Sequence, residues 1–439
     1  MSELDTIVAP ATPVGRSALA VVRIDGPLSG QILATLSGSL PEERKAAFTR
    51  IRQGGEPIDE CVAIFYKAPR SFTGNDLVEL MLHGSPVIIE RVIVAARQLG
   101  ARIAEPGEFT ERAVLNGKLD LVQAESIADL VDARTSLQAK LSLLNVEGRL
   151  SRTCASIRES LLHVISRLEA ALDFSEEGYE FITRADARMR LEAALAEIRA
   201  VADTYERGRA TRAGITAVIL GQPNAGKSTL LNTLVGSERA IVTPIPGTTR
   251  DIVRETIEIG GLPMTFLDTA GLREHADLVE EIGIRRARDA SRSADIVLYL
   301  IDATRGADAY DEAEIAALAG RHVVVVQTKR DLAASSGLAI SAATGEGMRE
   351  LIAHLDAIVR ERFAVPEASP SIVNERQRAA VAECESGLSA ALDSIAGNAD
   401  EQFIVVDLYR AANALGTLTG AVSRDDVLRE IFSKFCIGK

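Results

Sequence analysis

The chain has 439 residues, of which 47% are hydrophobic and 25% are charged, and its formal net charge at pH 7 is −13. This length and composition support two or three globular domains and exclude a disordered chain. The acidic balance disfavours a protein that grips nucleic acid unaided, although acidity can also serve solubility alone. An RNA partner would therefore be bound mainly through a second, basic protein.

The sequence suggests neither a membrane anchor nor an export signal. No apolar run approaches the roughly 18 residues of a membrane helix, and the first five residues are acidic where a signal peptide would be basic. Four widely separated cysteines lack the paired spacing of a metal site, which is typical of a reducing compartment. They are Cys61, Cys154, Cys384 and Cys436. We expect a cytoplasmic protein with no membrane contact.

The predicted elements change character along the chain. Residues 1–117 mix strand-like runs at 18–24, 62–66 and 77–82 with a helical run at 87–99. This mixture predicts an α+β domain.

Long helices are predicted next, over residues 118–212, where one stripe of apolar residues has helical spacing. The stripe comprises Ile157, Leu161, Val164, Leu168 and Ala171. Residues 213–365 alternate helices with strands near 215, 252, 264, 295, 322 and 338, and the Gly260-Gly261 pair is expected to turn an antiparallel hairpin. Residues 366–439 are helical again. The order predicts a multidomain α/β plus all-α protein, in which one helical domain is interrupted by an inserted nucleotide domain.

A phosphate-binding loop opens the inserted domain. Residues 221–228 read GQPNAGKS and directly follow the apolar run 215–220, which is the context that this motif requires. Backbone N–H groups of such a loop cradle phosphates, with Lys227 reaching the outer ones and the Ser228 hydroxyl binding Mg²⁺.

Later motifs select guanine. Asp268 ends a strand and would place a carboxylate in the second shell of Mg²⁺. Asp331, in the run TKRD at 328–331, can accept hydrogen bonds from guanine N1–H and N2–H₂, which adenine cannot offer. Thr328 replaces the usual Asn of this motif, so we expect one tie to the phosphate loop to be lost. Residues 341–343 fit the loop that meets guanine O6.

Residues outside these motifs resemble the tRNA-modification GTPases called MnmE or TrmE. The resemblance covers essentially the whole chain and includes DTIVA at 5–9, SFTG at 71–74, PGEFTERA at 106–113, NGKLDL at 116–121 and FCIGK at 435–439. It implies an N-terminal α+β domain that binds folate and dimerises (1–117), a helical domain in two parts (118–212 and 366–439) and a Ras-like P-loop GTPase domain (213–365).

The family resemblance also implies a function. Its members act as homodimers with a flavin-dependent partner, MnmG or GidA, which makes a heterotetramer the expected assembly. Together they install a carboxymethylaminomethyl or aminomethyl group at C5 of the wobble uridine of certain tRNAs, using a 5-formyl- or 5,10-methylene-tetrahydrofolate. Two alternatives remain open: a GTP switch in ribosome assembly, and a folate-dependent transferase with a vestigial GTPase. The first should carry a basic RNA-binding module, and the intact phosphate loop disfavours the second.

Hydrolysis requires a group that positions water. Ras-like enzymes use a glutamine after the DTAG motif, but this chain has Leu272. The resemblance assigns the role to Glu280, with Glu281 as the rival and a solvated helix start as the structural alternative. It likewise implies a K⁺ ion beside the phosphates, bound by Asn224, Thr243, Ile245 and Thr248, while Thr249 completes the Mg²⁺ site. Positive charge there would stabilise the transition state.

Together, the motifs and the resemblance predict a set of GTP contacts. They are Asn224, Ala225, Gly226, Lys227, Ser228, Thr229, Thr243, Pro244, Ile245, Pro246, Gly247, Thr248, Thr249, Asp268, Thr269, Ala270, Gly271, Thr328, Lys329, Arg330, Asp331, Ser341, Ala342 and Ala343.

The folate site is implied by the resemblance, at Arg23, Glu79, Lys118 and Lys439. A carboxylate such as Glu79 can pair with the ring N–H and amino groups of a pterin, and cations suit the glutamate tail of folate. The alternative is that Arg23 and Glu79 are solvent-facing strand residues. Cys436 matches a cysteine implicated in the modification, although a lone cysteine can also be an inert thiol.

Overall fold

The computed structural model describes residues 5–13, 15–174, 181–236, 254–268, 294–363, 371–421, 428, 431–433 and 435–438. Contacts divide the chain into two compact units. The first unit contains residues 1–128, 145–194 and 386–439, and the second contains residues 129–144 and 195–385. The domain boundaries expected after 117, 212 and 365 stay predictions.

Thirteen helices occur among the described residues. In chain order they are α1 (Ser29–Ser37), α2 (Pro86–Gln98), α3 (Glu108–Leu115), α4 (Leu121–Val131), α5 (Ser136–Val146), α6 (Arg149–Asp173), α7 (Arg184–Ala202), α8 (Tyr205–Ala213), α9 (Lys227–Val235), α10 (Ala309–Ala317), α11 (Met348–Phe363), α12 (Glu375–Ala396) and α13 (Glu401–Thr419).

A six-stranded sheet organises the start of the first unit, with strand order β3-β4-β5-β2-β1-β6. Its strands are β1 (Ile7–Pro10), β2 (Ser17–Asp25), β3 (Ala47–Gln53), β4 (Glu56–Tyr66), β5 (Leu77–Gly84) and β6 (Arg102–Ile103). The inward residues of the strands and of α1 and α2 form one core, in which Val22, Leu33, Leu80 and Val92 are fully buried. Because side chains alternate along a strand, Arg23 and Glu79 lie on the opposite face of the sheet.

The helical part of the first unit is built around α6, which packs against α13. The predicted apolar stripe of α6 is buried at Ile157, Leu161, Val164 and Leu168, and Ala171 is half-buried. Helical spacing of apolar residues therefore predicted the packed face correctly.

A five-stranded sheet forms the second unit, with strand order β11-β10-β7-β9-β8. Its strands are β7 (Ile215–Gly221), β8 (Arg254–Ile259), β9 (Leu262–Asp268), β10 (Ile296–Asp302) and β11 (Val323–Thr328). Every pairing is parallel except β8 with β9, which the Gly260-Gly261 pair joins as predicted. Both glycines have positive φ, at 63° and 82°, as a tight hairpin requires.

The strand predicted near residue 338 is wrong for the described residues. This run makes an isolated parallel bridge between Gln327 and Ala339, and no full strand. Only three apolar residues separate Gly337 from the turn at Ser341, which is too short a segment to extend the sheet.

The predicted fold class, α/β plus all-α, is confirmed by these sheets and helices. Within the part of the chain that the structure describes, no helix has the length and apolar character to cross a bilayer.

Candidate functional site

The phosphate loop joins the end of β7 to the start of α9. Its backbone has positive φ at Gly221 (138°), Asn224 (64°) and Gly226 (88°). A Cβ added at Gly221 would lie closer than 3.0 Å to the carbonyl oxygen of Leu300 on β10, so the position accepts only glycine. The glycine spacing of the motif therefore has a direct steric cause.

Lys227 is buried at the first position of α9. Its Nζ donates hydrogen bonds to the carbonyl oxygens of Gly221 and Gln222, both at 2.8 Å. The ammonium is thus held against the loop that would surround the phosphates. Ser228, the predicted Mg²⁺ ligand, follows it in the first turn of α9 and is exposed.

A hydrogen bond from Thr328 contradicts the expectation that the phosphate loop loses one contact with this motif when Asn is absent. The Thr328 hydroxyl donates to the carbonyl oxygen of Ala225 at 2.9 Å, and the side chain is 3% exposed. A threonine hydroxyl therefore makes the connection between β11 and the phosphate loop that was thought to need an amide.

The other residues that the sequence predicts to read the base lie at the same carboxyl edge of the sheet. Lys329 has φ 57°, and its Nζ pairs with Asp302 Oδ2 at 2.6 Å. The Asp331 side chain is exposed at the strand end. Thr233 on α9 donates to the carbonyl oxygen of Ala342 at 2.9 Å, which ties the 341–343 loop to the helix that carries Lys227.

Asp302 was not identified from the sequence. Burial raises its pKa, but the hydrogen bonds from Lys329 and Thr304 outweigh that effect and hold the pKa below 3.8. Its position at the carboxyl end of a buried parallel strand was the available signal, because ligand sites form at that edge.

Several predicted residues lie outside the described part of the chain. These are Thr243, Pro244, Ile245, Pro246, Gly247, Thr248, Thr249, Thr269, Ala270, Gly271, Glu280 and Lys439. Asp268 is described as the last residue of β9, whose backbone pairs with Ile219 of β7.

In the first unit, Arg23 and Glu79 face each other across the β2–β5 pair. Arg23 Nε donates to Glu79 Oε1 at 2.9 Å, and their side chains are 24% and 16% exposed. Tyr66, which sequence reasoning missed, donates its hydroxyl to Glu79 Oε2 at 3.3 Å. The Phe72 ring lies 5.7 Å from the Arg23 guanidinium. Lys118 instead donates to the carbonyl oxygen of Pro69 at 2.9 Å.

The C-terminal peptide docks beside this pair. Ile437 forms a bridge with Pro106, and Gly438 accepts a hydrogen bond from Arg23 Nη1 at 3.4 Å. Gly438 is buried with φ 95°, and an added Cβ would lie 2.9 Å from the Cα of Ala11. Cys436 is exposed. The structure therefore brings the end of the chain to the predicted Arg23–Glu79 site.

Residues from three of the remaining motifs meet in one largely buried ionic cluster. Arg112 is 5% exposed and donates to Asp25 (2.9 Å), Asp5 (2.6 Å) and Glu108 (2.9 Å). Thr73 also donates to Asp25, which is fully buried. Motif residues at 5, 73, 108 and 112 thus hold together β2, α3 and the loop that carries Phe72.

Comparisons with known proteins match nearly the whole chain to MnmE or TrmE proteins. A sequence model described as the MnmE helical domain matches residues 121–436, and one described as the GTP-binding protein TrmE N-terminus matches residues 6–118. The tRNA modification GTPase MnmE of Nitrosospira multiformis is 39% identical over 454 residues, covering 100% of each chain. The MnmE of Pseudomonas aeruginosa (strain UCBPP-PA14) is 40% identical over 453 residues, covering 99% of each. A solved structure of an Aquifex aeolicus Era variant with GDP.AlF4- overlaps 39% of this chain and 66% of its own, at 28% identity and a TM-score of 0.28.

Proposed function

This chain belongs to the MnmE family of tRNA modification GTPases, and we propose that its GTP hydrolysis is stimulated by K⁺ and serves a folate-dependent modification of wobble uridine. The modification would place a carboxymethylaminomethyl or aminomethyl group at C5. The observation that carries the proposal is the docking of the C-terminal peptide at the Arg23–Glu79 pair, in a chain that also has a complete phosphate loop.

In the proposed GTPase site, Lys227 binds the outer phosphates and Asp331 reads guanine. Ser228 and Thr249 would hold Mg²⁺, while Asn224, with oxygens of residues 243, 245 and 248, would hold K⁺. When bound, these cations would supply positive charge where negative charge develops in the transition state. Asn224 supports this role because its side chain is exposed on the phosphate loop.

A salt comparison tests the K⁺ assignment. We expect turnover to be much faster in KCl than in NaCl at equal ionic strength, and equal rates would refute the assignment. Replacing Asn224 by Ala should reduce the difference between the two salts.

Paired variants test which residue positions the water. Glu280→Ala should lower turnover by roughly 10²-fold while GTP still binds, because water positioning acts in the transition state. Glu281→Ala is the matched control and should keep most of the activity. The opposite result would transfer the role to Glu281.

In the proposed folate site, Glu79 would accept hydrogen bonds from the pterin ring. One of its oxygens already accepts from Arg23 and the other from Tyr66, so the carboxylate is held in a fixed orientation. Lys118 and Lys439 would meet the glutamate tail of folate, and Cys436 would act in the modification chemistry.

Calorimetric titration with 5-formyltetrahydrofolate tests this site. Glu79→Gln should weaken binding by about tenfold or more, since a charge-assisted hydrogen bond is lost. The control is Glu60→Gln, which breaks an exposed Arg50–Glu60 pair on the same sheet. Equal affinity of both variants would exclude Glu79 from the site.

The proposed assembly is a homodimer that works with the flavoprotein MnmG or GidA. Because this chain has a net charge of −13, it would bind tRNA mainly through that partner. Mass spectrometry of wobble nucleosides from a strain that lacks this chain tests the pathway. Normal C5 modification in that strain would exclude the proposed role.

A further inference from the structure

The loop between β10 and α10 contacts the phosphate loop through side chains that the GTPase motifs do not include. Gln222, the second residue of the phosphate loop, donates from Nε2 to both carboxylate oxygens of Asp308, at 3.0 and 3.1 Å. Its Oε1 accepts a hydrogen bond from Arg305 Nη1. Both ends of the Gln222 amide are therefore engaged by residues of one neighbouring loop.

That neighbouring loop is itself firmly anchored. Arg305 Nη2 donates to Asp311 Oδ2 at 2.9 Å, and Asp311 is fully buried, where the Tyr299 hydroxyl also donates to it at 2.9 Å. Asp308 caps α10 by accepting from the backbone N–H groups of Tyr310 and Asp311. Because Arg305 and Asp308 are each held by these additional contacts, they offer Gln222 a rigid support.

Gln222 also helps to hold Lys227. Its carbonyl oxygen is one of the two acceptors of the Lys227 ammonium, at 2.8 Å. At the other end of the same loop, Asp302 pairs with Lys329 of the base-reading motif. Residues 302–308 thus connect the phosphate loop with the guanine motif.

We propose that Arg305 is a positioning residue for GTP, which holds Gln222 so that the phosphate loop is already shaped before nucleotide binds. A preorganised loop loses less conformational freedom on binding, so its benefit is seen in affinity. Arg305 does not serve as an arginine finger in this arrangement, because Nη1 and Nη2 are both already engaged within the protein. A finger would change kcat, whereas a positioning residue changes KM and the nucleotide Kd.

The test measures GDP and GTP affinity, kcat and KM for Gln222→Met, Arg305→Met and the double variant of the full chain. Each single variant should weaken nucleotide binding and raise KM by roughly 5- to 20-fold, with kcat within about twofold of the parent. The double variant should bind nucleotide as tightly as the more weakly binding of the two single variants, since both substitutions remove the same link. The matched control is Arg360→Met, which breaks an exposed ion pair with Asp356 on α11.

Three results would overturn the proposal. These are unchanged affinity in Gln222→Met, a fall in kcat without a rise in KM in Arg305→Met, and effects that multiply fully in the double variant. Arg305→Met leaves the buried Asp311 without its cation and can fail to fold. In that case Gln222→Met, which keeps the Arg305–Asp311 pair, decides alone.

Discussion

Replacing Gly438 by alanine should release the C-terminal peptide from the first unit without removing Cys436 or Lys439. Gly438 is buried with φ 95°, and an added Cβ would lie closer than 3.0 Å to the carbonyl oxygen of Pro10. The obstructing atoms belong to backbone at the end of β1, so no side-chain rotation can relieve the clash. The peptide must move away as a whole.

The size of the effect has a lower bound set by backbone strain. A left-handed conformation costs a non-glycine residue about 1–2 kcal/mol in the docked peptide, and the clash with Pro10 adds to this cost. The hydrogen bonds that hold the docked peptide, from Gly107 N–H to the Cys436 carbonyl and from Arg23 to the Gly438 carbonyl, are both 3.4 Å long. At the low end of about 0.5–1.5 kcal/mol each, they oppose the cost with only roughly 1 kcal/mol. Strain of about 1–2 kcal/mol alone lowers the docking equilibrium constant by roughly 5- to 30-fold.

The matched control is Gly55→Ala, in the turn between β3 and β4. Gly55 has nearly the same φ, 92°, but an added Cβ would meet nothing within 4 Å. It carries the backbone strain without the clash. Hydrogen exchange of the peptide containing residues 435–438 is the direct assay, and titration with 5-formyltetrahydrofolate is the functional one.

We expect faster exchange and weaker folate binding in Gly438→Ala, with Gly55→Ala equal to the parent chain in both assays. Basal GTP hydrolysis should be nearly unchanged in both variants. Equal exchange in the two variants would refute the docked arrangement. Faster exchange with unchanged folate affinity would leave the docking in place but separate the chain end from the folate site.

Three further predictions concern single side chains. Thr328→Val should weaken GDP binding by about 5- to 10-fold because the buried hydrogen bond to the phosphate loop is lost, whereas equal affinity would make that bond irrelevant. Asp331→Asn should shift preference from GTP towards xanthosine triphosphate, and undiminished GTP binding with no gain for xanthosine triphosphate would refute the guanine assignment. Burial raises the pKa of Asp5 and Glu108, but Arg102 and Arg112 outweigh it and hold each pKa below its ordinary value. The stability that these two carboxylates contribute should therefore be constant above about pH 5 and be lost as pH drops below 4.5. Urea unfolding against pH checks this, and Arg102→Met should show a smaller acid loss than the parent.

Periodicity predicted the elements that bury one continuous face. The runs at 18–24 and 77–82 became β2 and β5, and the stripe from Ile157 to Leu168 became the buried face of α6. Periodicity wrongly predicted a strand at 338–340, because the length of a strand also depends on the segment that pairs with it. Ala339 pairs with Gln327 and the chain turns at Ser341, so a bridge forms in place of a strand.

The nucleotide loop was predictable because its chemistry depends on local backbone shape. Gly221 and Gly226 are required by positive φ, and Gly221 also by the closeness of β10, so the motif has a readable glycine spacing. The role of Thr328 was not predictable in this way. Its hydroxyl replaces an amide only because β11 places it 2.9 Å from the Ala225 carbonyl oxygen. The two residues are 103 positions apart in the sequence, so local patterns do not reveal this contact.

The N-terminal motifs show why a conspicuous sequence need not be a binding site. Asp5, Thr73, Glu108 and Arg112 come from three separate motifs, yet Thr73 and Arg112 both donate to the buried Asp25, and Arg112 also pairs with the buried Glu108 and the exposed Asp5. A buried charge without its partner is strongly destabilising, so each member of such a cluster constrains the others. Their side chains do not reach the Arg23–Glu79 pair in any described contact. Asp25, which pairs with Arg112, instead accepts from Thr73 and Asn75 in the loop whose Phe72 ring lies near Arg23, so these motifs shape the proposed folate site through the fold.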